Sequence, residues 1–243
     1  MDDNKSKREL KFGILEILKN KRHEHKMTII GKSFHSGELE RHFGIGVNKD
    51  LRFIADQAFE ELKNDGMIKP TYNDISDPES WFEITEKGVN ALERKILDDL
   101  DDVLMNIDPH LVEIRDGAWS AVTSNTPDAL RQAAHSGREL IEQTLRIAAP
   151  NEEIENQDWY TPDSSSRNGI TRRHRLKLIM IKYRQQESKT DLKIAEKACE
   201  LILEIDRKLQ SMSHDSTSPN RMDVEDSLRT AETTLRRVFI RNV

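Results

Sequence analysis

Two short arginine–histidine spacings carry the residue types in this chain best suited to chemistry. They are Arg167-Asn168-Gly-Ile-Thr-Arg172-Arg173-His174-Arg175 and Arg207-Lys-Leu-Gln-Ser-Met-Ser-His214. Cleaving RNA without a metal needs a base for the 2′-hydroxyl proton and cationic donors for the charge that develops at phosphorus. A histidine that titrates near neutrality and an arginine that stays charged supply both. Arg167, His174, Arg207 and His214 are therefore the candidate catalytic residues. The competing reading is chance: short Arg–His spacings recur in arginine-rich chains, where the same side chains merely solvate a helix.

Around the first spacing, Arg172, Arg173, Arg175, Lys177, Lys182 and Arg184 run without an intervening acid. Cations at a helix N-terminus oppose its dipole, so the run calls for an anionic partner. The chain offers one: residues 1–95 carry a net charge of −1, residues 96–163 one of −11, and residues 164–243 one of +6. The partner is then either the acidic middle of the chain or a nucleic acid, with Arg172, Arg173, Arg175 and Lys177 as contacts. A small anionic ligand held by Arg172, Arg173 and Arg175 is a third reading.

Other chemistries find little footing. The single Cys199 lies in the helical pattern Ile194-Ala195-Ala198-Cys199-Leu201-Ile202, which reads as a packed thiol and not as a nucleophile. The histidines are scattered without metal-ligand spacing, and no cofactor motif is present. No apolar run approaches a membrane span and no signal-peptide pattern opens the chain, so a cytoplasmic protein with no membrane partner is expected.

The elements that must position these residues follow from periodicity. Charged residues make up 34% of the chain and aromatics 5%, a balance that favours solvated amphipathic helices, so the fold should be mainly α. Leu10, Phe12, Ile14, Leu15 and Leu18 predict a first helix to about Asn20. Ser36 can cap a short second helix, Gly44-Ile45-Gly46 breaks it, and Asn48 opens a third with Leu51, Ile54, Ala55, Ala58, Phe59 and Leu62 on one face. Strands at residues 67–70 and 81–84 flank a turn-rich tip from Asn73 to Ser80. With the phrase Trp81-Phe-Glu-Ile-Thr-Glu-Lys-Gly-Val-Asn-Ala-Leu, residues 9–95 resemble a winged helix-turn-helix domain, three helices plus a small β-wing. The resemblance implies DNA contact through the third helix, where Lys49 and Arg52 are the candidates, and Lys21 and Arg22 could touch phosphates before the motif. Against this, the third helix is net negative and the wing tip carries Asp74, Asp77 and Glu79. Docking to a protein is then as good a reading as docking to DNA.

Residues 96–108 predict a helical acidic linker, with one helix continuing from Val89 to Leu104, and residues 109–243 an antiparallel bundle of four or five helices. Thr126 with Pro127 starts one helix that runs towards Pro150, and residues 151–166 read as an exposed loop. Further helices begin near Thr171, span Leu192 to Leu209, and end the chain with Val224, Leu228, Ala231, Leu235, Val238 and Phe239 inward.

The two Arg–His spacings resemble the signature of HEPN domains, helical nucleotide-binding or ribonuclease domains of bacterial defence and toxin–antitoxin systems that pair as homodimers. The stretch Asn125-Thr-Pro-Asp-Ala-Leu-Arg-Gln-Ala-Ala-His-Ser-Gly-Arg-Glu-Leu, with Thr171-Arg-Arg-His-Arg-Leu and Ser213-His214, resembles predicted nucleases associated with prokaryotic Argonaute (PIWI) proteins, over residues 108–243. These resemblances imply a nucleic-acid-directed homodimer, a metal-independent RNase of a phage-defence or toxin–antitoxin type. The alternative is a non-enzymatic winged-helix regulator or adaptor that dimerises through its helical half.

Overall fold

The computed structural model describes residues 5–72, 74, 77, 79–124, 126–184, 188–214 and 219–240. The chain forms two compact units, Met1–Leu97 and Asp98–Val243, each with its own apolar core. Both are dominated by helices, and the first also holds a small antiparallel sheet.

In the first unit, helix α1 (Lys7–Asn20) starts at a capping box between Ser6 and Glu9. It buries Leu10, Ile14, Leu15 and Leu18 in one core with Ala55, Ala58, Phe59 and Leu62. The basic stretch after α1, too short for any periodicity to show, is ordered: strand β1 (Glu24–His25), helix α2 (Lys26–Ile30), and the hairpin of β2 (Gly31–Lys32) with β3 (His35–Ser36). Helix α3 (Glu38–His42) and helix α4 (Lys49–Asn64) follow, and Asn48 Oδ1 accepts from the backbone of Asp50 and Leu51 at 3.0 Å to cap α4.

The cap of α3 differs from expectation. Gly37, not Ser36, is its N-cap, and the cap oxygen comes from Glu40, whose Oε2 accepts the Gly37 N–H at 2.8 Å. The other Glu40 oxygen accepts the Asn48 N–H at 2.9 Å, so one fully buried carboxylate ties the start of α3 to the start of α4. Burial alone would raise its pKa, but Arg52 and these backbone donors hold it below the usual carboxylate range.

Strands β4 (Ile68–Pro70) and β5 (Trp81–Ile84) pair antiparallel, and β1 pairs with the other edge of β5, in the order β1-β5-β4. Asn73, at the start of the expected turn-rich tip, lies outside the described residues. Thr85 then caps α5 (Glu86–Arg94): its hydroxyl donates to the Gly66 or Met67 carbonyl and accepts the Gly88 N–H at 3.1 Å.

The helix expected to run from Val89 to Leu104 is broken. Lys95 turns left-handed at φ 57°, and Asp98 caps a new helix α6 (Asp99–Ile107) through the Asp101 N–H at 2.8 Å. Leu100 and Leu104 of the segment read as a linker are fully buried in the second core.

The second unit continues with α7 (His110–Ser124), α8 (Pro127–Ala148), α9 (Asn151–Glu155), α10 (Arg172–Arg184), α11 (Lys189–His214) and α12 (Arg221–Phe239). Thr126 caps α8, its hydroxyl accepting from Ala129 at 3.2 Å with Pro127 behind it. Helix α8 packs against α7, α10, α11 and α12. Gly137 makes its closest approach possible, because a Cβ there would lie 2.3 Å from Leu228 Cδ2 on α12. The stretch expected to be an exposed loop holds α9, with Ile154 buried, and packs Trp159 and Tyr160 against the core. Among the described residues, no helix is long and apolar enough to cross a membrane.

Candidate functional site

A cleft of about 780 Å³ opens in the second unit between α8, the 156–171 segment, the start of α10 and the middle of α11. Six arginines line it: Arg146, Arg167, Arg172, Arg173, Arg175 and Arg207. Three carboxylates share the lining, Glu142, Asp163 and Asp206, above apolar Leu145, Ile170 and Leu203.

Local backbone chemistry places each wall. Arg167 sits at the tip of a tight turn, in which the Asp163 N–H donates to the Gly169 carbonyl at 2.8 Å and Gly169 takes φ 74°. Asn168 builds this turn, its Oδ1 accepting from Ile170 N–H at 3.2 Å and from the Ser166 hydroxyl at 2.8 Å. Three residues into the next helix, His174 Nδ1 reaches back to accept the Thr171 N–H at 3.2 Å, the part a glutamate plays in a capping box. That start projects Arg172, Arg173 and Arg175 into the cleft.

Beneath them, two arginines bridge two acids. Arg172 Nη2 lies 3.2 Å from Glu142 Oε2 and 3.4 Å from Asp206 Oδ2. Arg138 Nη2 lies 3.1 Å from the same Glu142 oxygen, and its Nε is 3.7 Å from Asp206 Oδ1. Asp206 is 3% exposed, and its Oδ1 has no hydrogen-bond partner among the described residues. Burial pushes its carboxyl above the usual range against the pull of Arg172 and Arg138. Arg175 moves the other way: burial and the nearby charge of Arg146 lower its guanidinium. Crowded cations and a buried carboxyl thus share one cleft.

The sequence candidates divide on this geometry. Arg167, Arg207, Arg172, Arg173 and Arg175 line one cleft, which brings the arginines of the two Arg–His spacings together. The histidines are elsewhere. The His174 ring packs against Trp159 and Tyr160, at centroid distances of 6.3 and 5.4 Å, and does not line the cleft. Helix α11 does extend to His214, but that exposed residue stands two turns, about 10 Å, beyond Arg207. Arg207 pairs at 2.6 Å with Glu204. Lys177 lies outside the lining, with Nζ 4.2 Å from the centroid of the Trp159 ring.

The anionic partner sought for the α10 run is largely internal. Arg172 faces Glu142 and Asp206, and Lys182 pairs with Glu153. Arg175 donates to the Ala149 carbonyl at the end of α8 and to Asn151 at 2.7 Å.

In the first unit, Arg52 was expected on a nucleic-acid surface but is spent inward. It grips both oxygens of Glu40 at 2.8 Å and the carbonyls of Ser33 and His35 at 2.8 Å. Lys21 pairs with Glu24 and Glu38, whereas Arg22 and Lys49 are exposed. Cys199 is packed against the second core, and burial pushes its thiol up to about 12, which removes the thiolate a nucleophile needs.

Glu142, Asp206, Arg138 and Arg146 were missed by sequence reasoning. One signal was available: Asp206 falls in the inward register of Ile202, Ile205 and Leu209, where a charge is costly unless something uses it. Among the described residues, no group of three or more His, Cys, Asp or Glu side chains is placed to hold a metal ion.

Six arginines thus line one cleft of the second unit, where Arg138 and Arg172 bridge Glu142 and Asp206. The family model described as predicted pPIWI-associating nuclease matches residues 104–238, and the chain belongs to that family. No curated protein and no solved structure matches the chain.

Proposed function

We propose that this protein is a nuclease effector of a defence system, and that the arginine cleft of its helical unit is where the nucleic acid is cut. The observation that carries the reading is the convergence of Arg146, Arg167, Arg172, Arg173, Arg175 and Arg207 on one cleft within the family-matched segment. Arg167 comes from the turn before α10 and Arg207 from α11, so a phosphodiester in the cleft meets guanidinium donors from two separate elements. Such donors stabilise the extra charge of the phosphorane transition state. The HEPN-like part of the reading, an endoribonuclease, rests on Arg207 and Arg167 and draws no support from the positions of His174 and His214.

The test is cleavage and binding of labelled single-stranded RNA and DNA by the full-length protein. Arg207→Ala and Arg173→Ala should each weaken binding and slow cleavage at least tenfold. A wild-type protein that cuts neither polymer, whether or not it binds, sinks the proposal.

For the first unit we read a winged helix, supported by the order α1, α3, turn, α4, β4, β5 and the Thr85–Gly88 turn. One observation favours docking to a protein over reading DNA. Phe53 on α4 is 68% exposed and Phe34 on the β2–β3 hairpin 92% exposed, while Arg52 is consumed internally. A DNA reader would show a steep fall of affinity with salt, and a protein-docking unit would not.

A further inference from the structure

The cleft holds two carboxylates in unlike surroundings on the same pair of arginines. Glu142 is at the exposed rim, its Oε2 within 3.2 Å of guanidinium nitrogens of both Arg138 and Arg172. Asp206, one helix away, meets the same Arg172 nitrogen at 3.4 Å but is buried, with Oδ1 lacking a hydrogen-bond partner. The buried pair of Arg52 and Glu40 in the first unit closes to two bonds of 2.8 Å. Here the contacts to Asp206 stay at 3.4 and 3.7 Å, and the Nε atoms of Arg138 and Arg172 are likewise buried without an acceptor. Three neighbouring buried polar atoms without a hydrogen-bond partner call for an explanation, and a catalytic role supplies one.

We infer that Glu142 and Asp206 are the acid–base pair of the cleft, Glu142 the base and Asp206 the acid. The inference rests on the nuclease reading above and names the groups that move protons in it. Burial raises the Asp206 carboxyl above its usual range against the charges of Arg172, Arg138 and Arg207, and nearby Glu142 acts in the same direction. Glu142 stands exposed, with guanidinium nitrogens of Arg138 and Arg172 on the same oxygen. Two carboxyl groups in such unlike surroundings can divide the two proton transfers of a phosphodiester displacement between them.

The step balances. Glu142 takes the proton of the attacking hydroxyl, from water or from a substrate 2′-hydroxyl, and that oxygen's electron pair forms the new P–O bond. The P–O bond on the far side breaks with its pair on the leaving oxygen, which takes the Asp206 proton. Arg172 and Arg207 hold the phosphoryl oxygens throughout. One proton enters at Glu142 and one leaves at Asp206, and exchange with solvent resets both.

The experiment compares the full-length wild type with Glu142→Gln, Asp206→Asn and Asp206→Glu, measuring binding of a labelled single-stranded oligonucleotide, its cleavage rate from pH 5 to 9, and the melting temperature. Glu142→Gln and Asp206→Asn should bind within a few-fold of wild type and cleave about 10²–10⁴-fold more slowly. Wild-type cleavage should fall as pH rises and Asp206 loses its proton. That basic limb should vanish from the residual rate of Asp206→Asn, and Asp206→Glu should restore part of the rate with the limb displaced. The melting temperature and binding identify a variant that has merely failed to fold, and Asp206→Glu then carries the test. Near-wild-type rates and an unchanged pH profile in folded Gln and Asn variants overturn the pair but leave the nuclease reading intact. A wild type that binds without cutting, or does neither, overturns both.

Discussion

Arg115 and Glu232 form a buried two-point pair, with Nε 2.7 Å from Oε1 and Nη2 2.8 Å from Oε2. The same guanidinium reaches Asp101 at 2.5 Å and Asp98 at 2.8 Å, and Trp119 Nε1 donates to Glu232 Oε1 at 2.6 Å. One arginine thus holds carboxylates from α6, from its cap and from α12 around the side of α7. Removing it would leave several negative groups facing each other in a largely water-free space. Arg115→Ala should therefore cost about 3–5 kcal/mol. The check is the denaturant midpoint of the second unit, followed through the near-UV signal of Trp119 and Trp159.

The same network predicts acid sensitivity. Burial would raise the Asp98 carboxyl, but Arg115, the Asp101 N–H and Arg236 outweigh it and hold the group far below the usual range. A carboxylate whose folded pKa is depressed contributes stability that is complete above its unfolded value, near 3.9, and is lost as pH falls towards the folded one. Stability attributable to Asp98 should therefore be flat from neutrality to about pH 5 and decline below pH 4. Asp98→Asn should be less stable at pH 7 and show a shallower loss in acid. Equal slopes for the two proteins in urea melts at pH 7, 4 and 3 would contradict this.

Gly88 presents a steric prediction in the first unit. A Cβ there would lie 2.2 Å from the Met67 carbonyl oxygen, a backbone atom that cannot swing away. The Thr85 hydroxyl binds that carbonyl on one side and the Gly88 N–H on the other, so the strand and helix are fixed at closest approach. Gly88→Ala gains helix propensity of about 1 kcal/mol but must push α5 off β4, at a cost of about 1–3 kcal/mol or more. Net loss of stability is expected, read as a lowered midpoint for the transition that Trp81 reports.

What the sequence made legible was local. Thr85 and Gly88, Asn48 ahead of α4, and Thr126 with Pro127 are signals contained within four residues, and the structure uses each where it was expected. What stayed hidden depends on residues far apart. Glu142, Arg172 and Asp206 are separated by 30 and 34 positions, and only helix packing brings them together. The Arg167–His174 spacing falls in a segment that lines the cleft, and there the histidine reaches back to the start of the helix that carries Arg172, Arg173 and Arg175. Arg52 and Glu40 misled in the opposite way: a cation on the third helix reads as a DNA contact until its buried partner, twelve residues upstream, is seen.

His174 gives the last prediction, since its role as structure and its role as catalyst have different signatures. Its Nδ1 accepts the Thr171 N–H, and its ring lies edge-on to Tyr160 at 5.4 Å. His174→Ala frees that N–H and opens a gap beside Trp159, for a loss of about 1–2 kcal/mol. His174→Gln keeps an oxygen that can reach back to the same N–H and should recover part of the stability, as capping-box residues do. A catalytic histidine would behave differently: Gln would be as inactive as Ala, with the melting temperature unmoved. Measuring both variants for melting and cleavage therefore decides whether this residue shapes the cleft wall or works at the phosphate. The geometry assigns it to the wall.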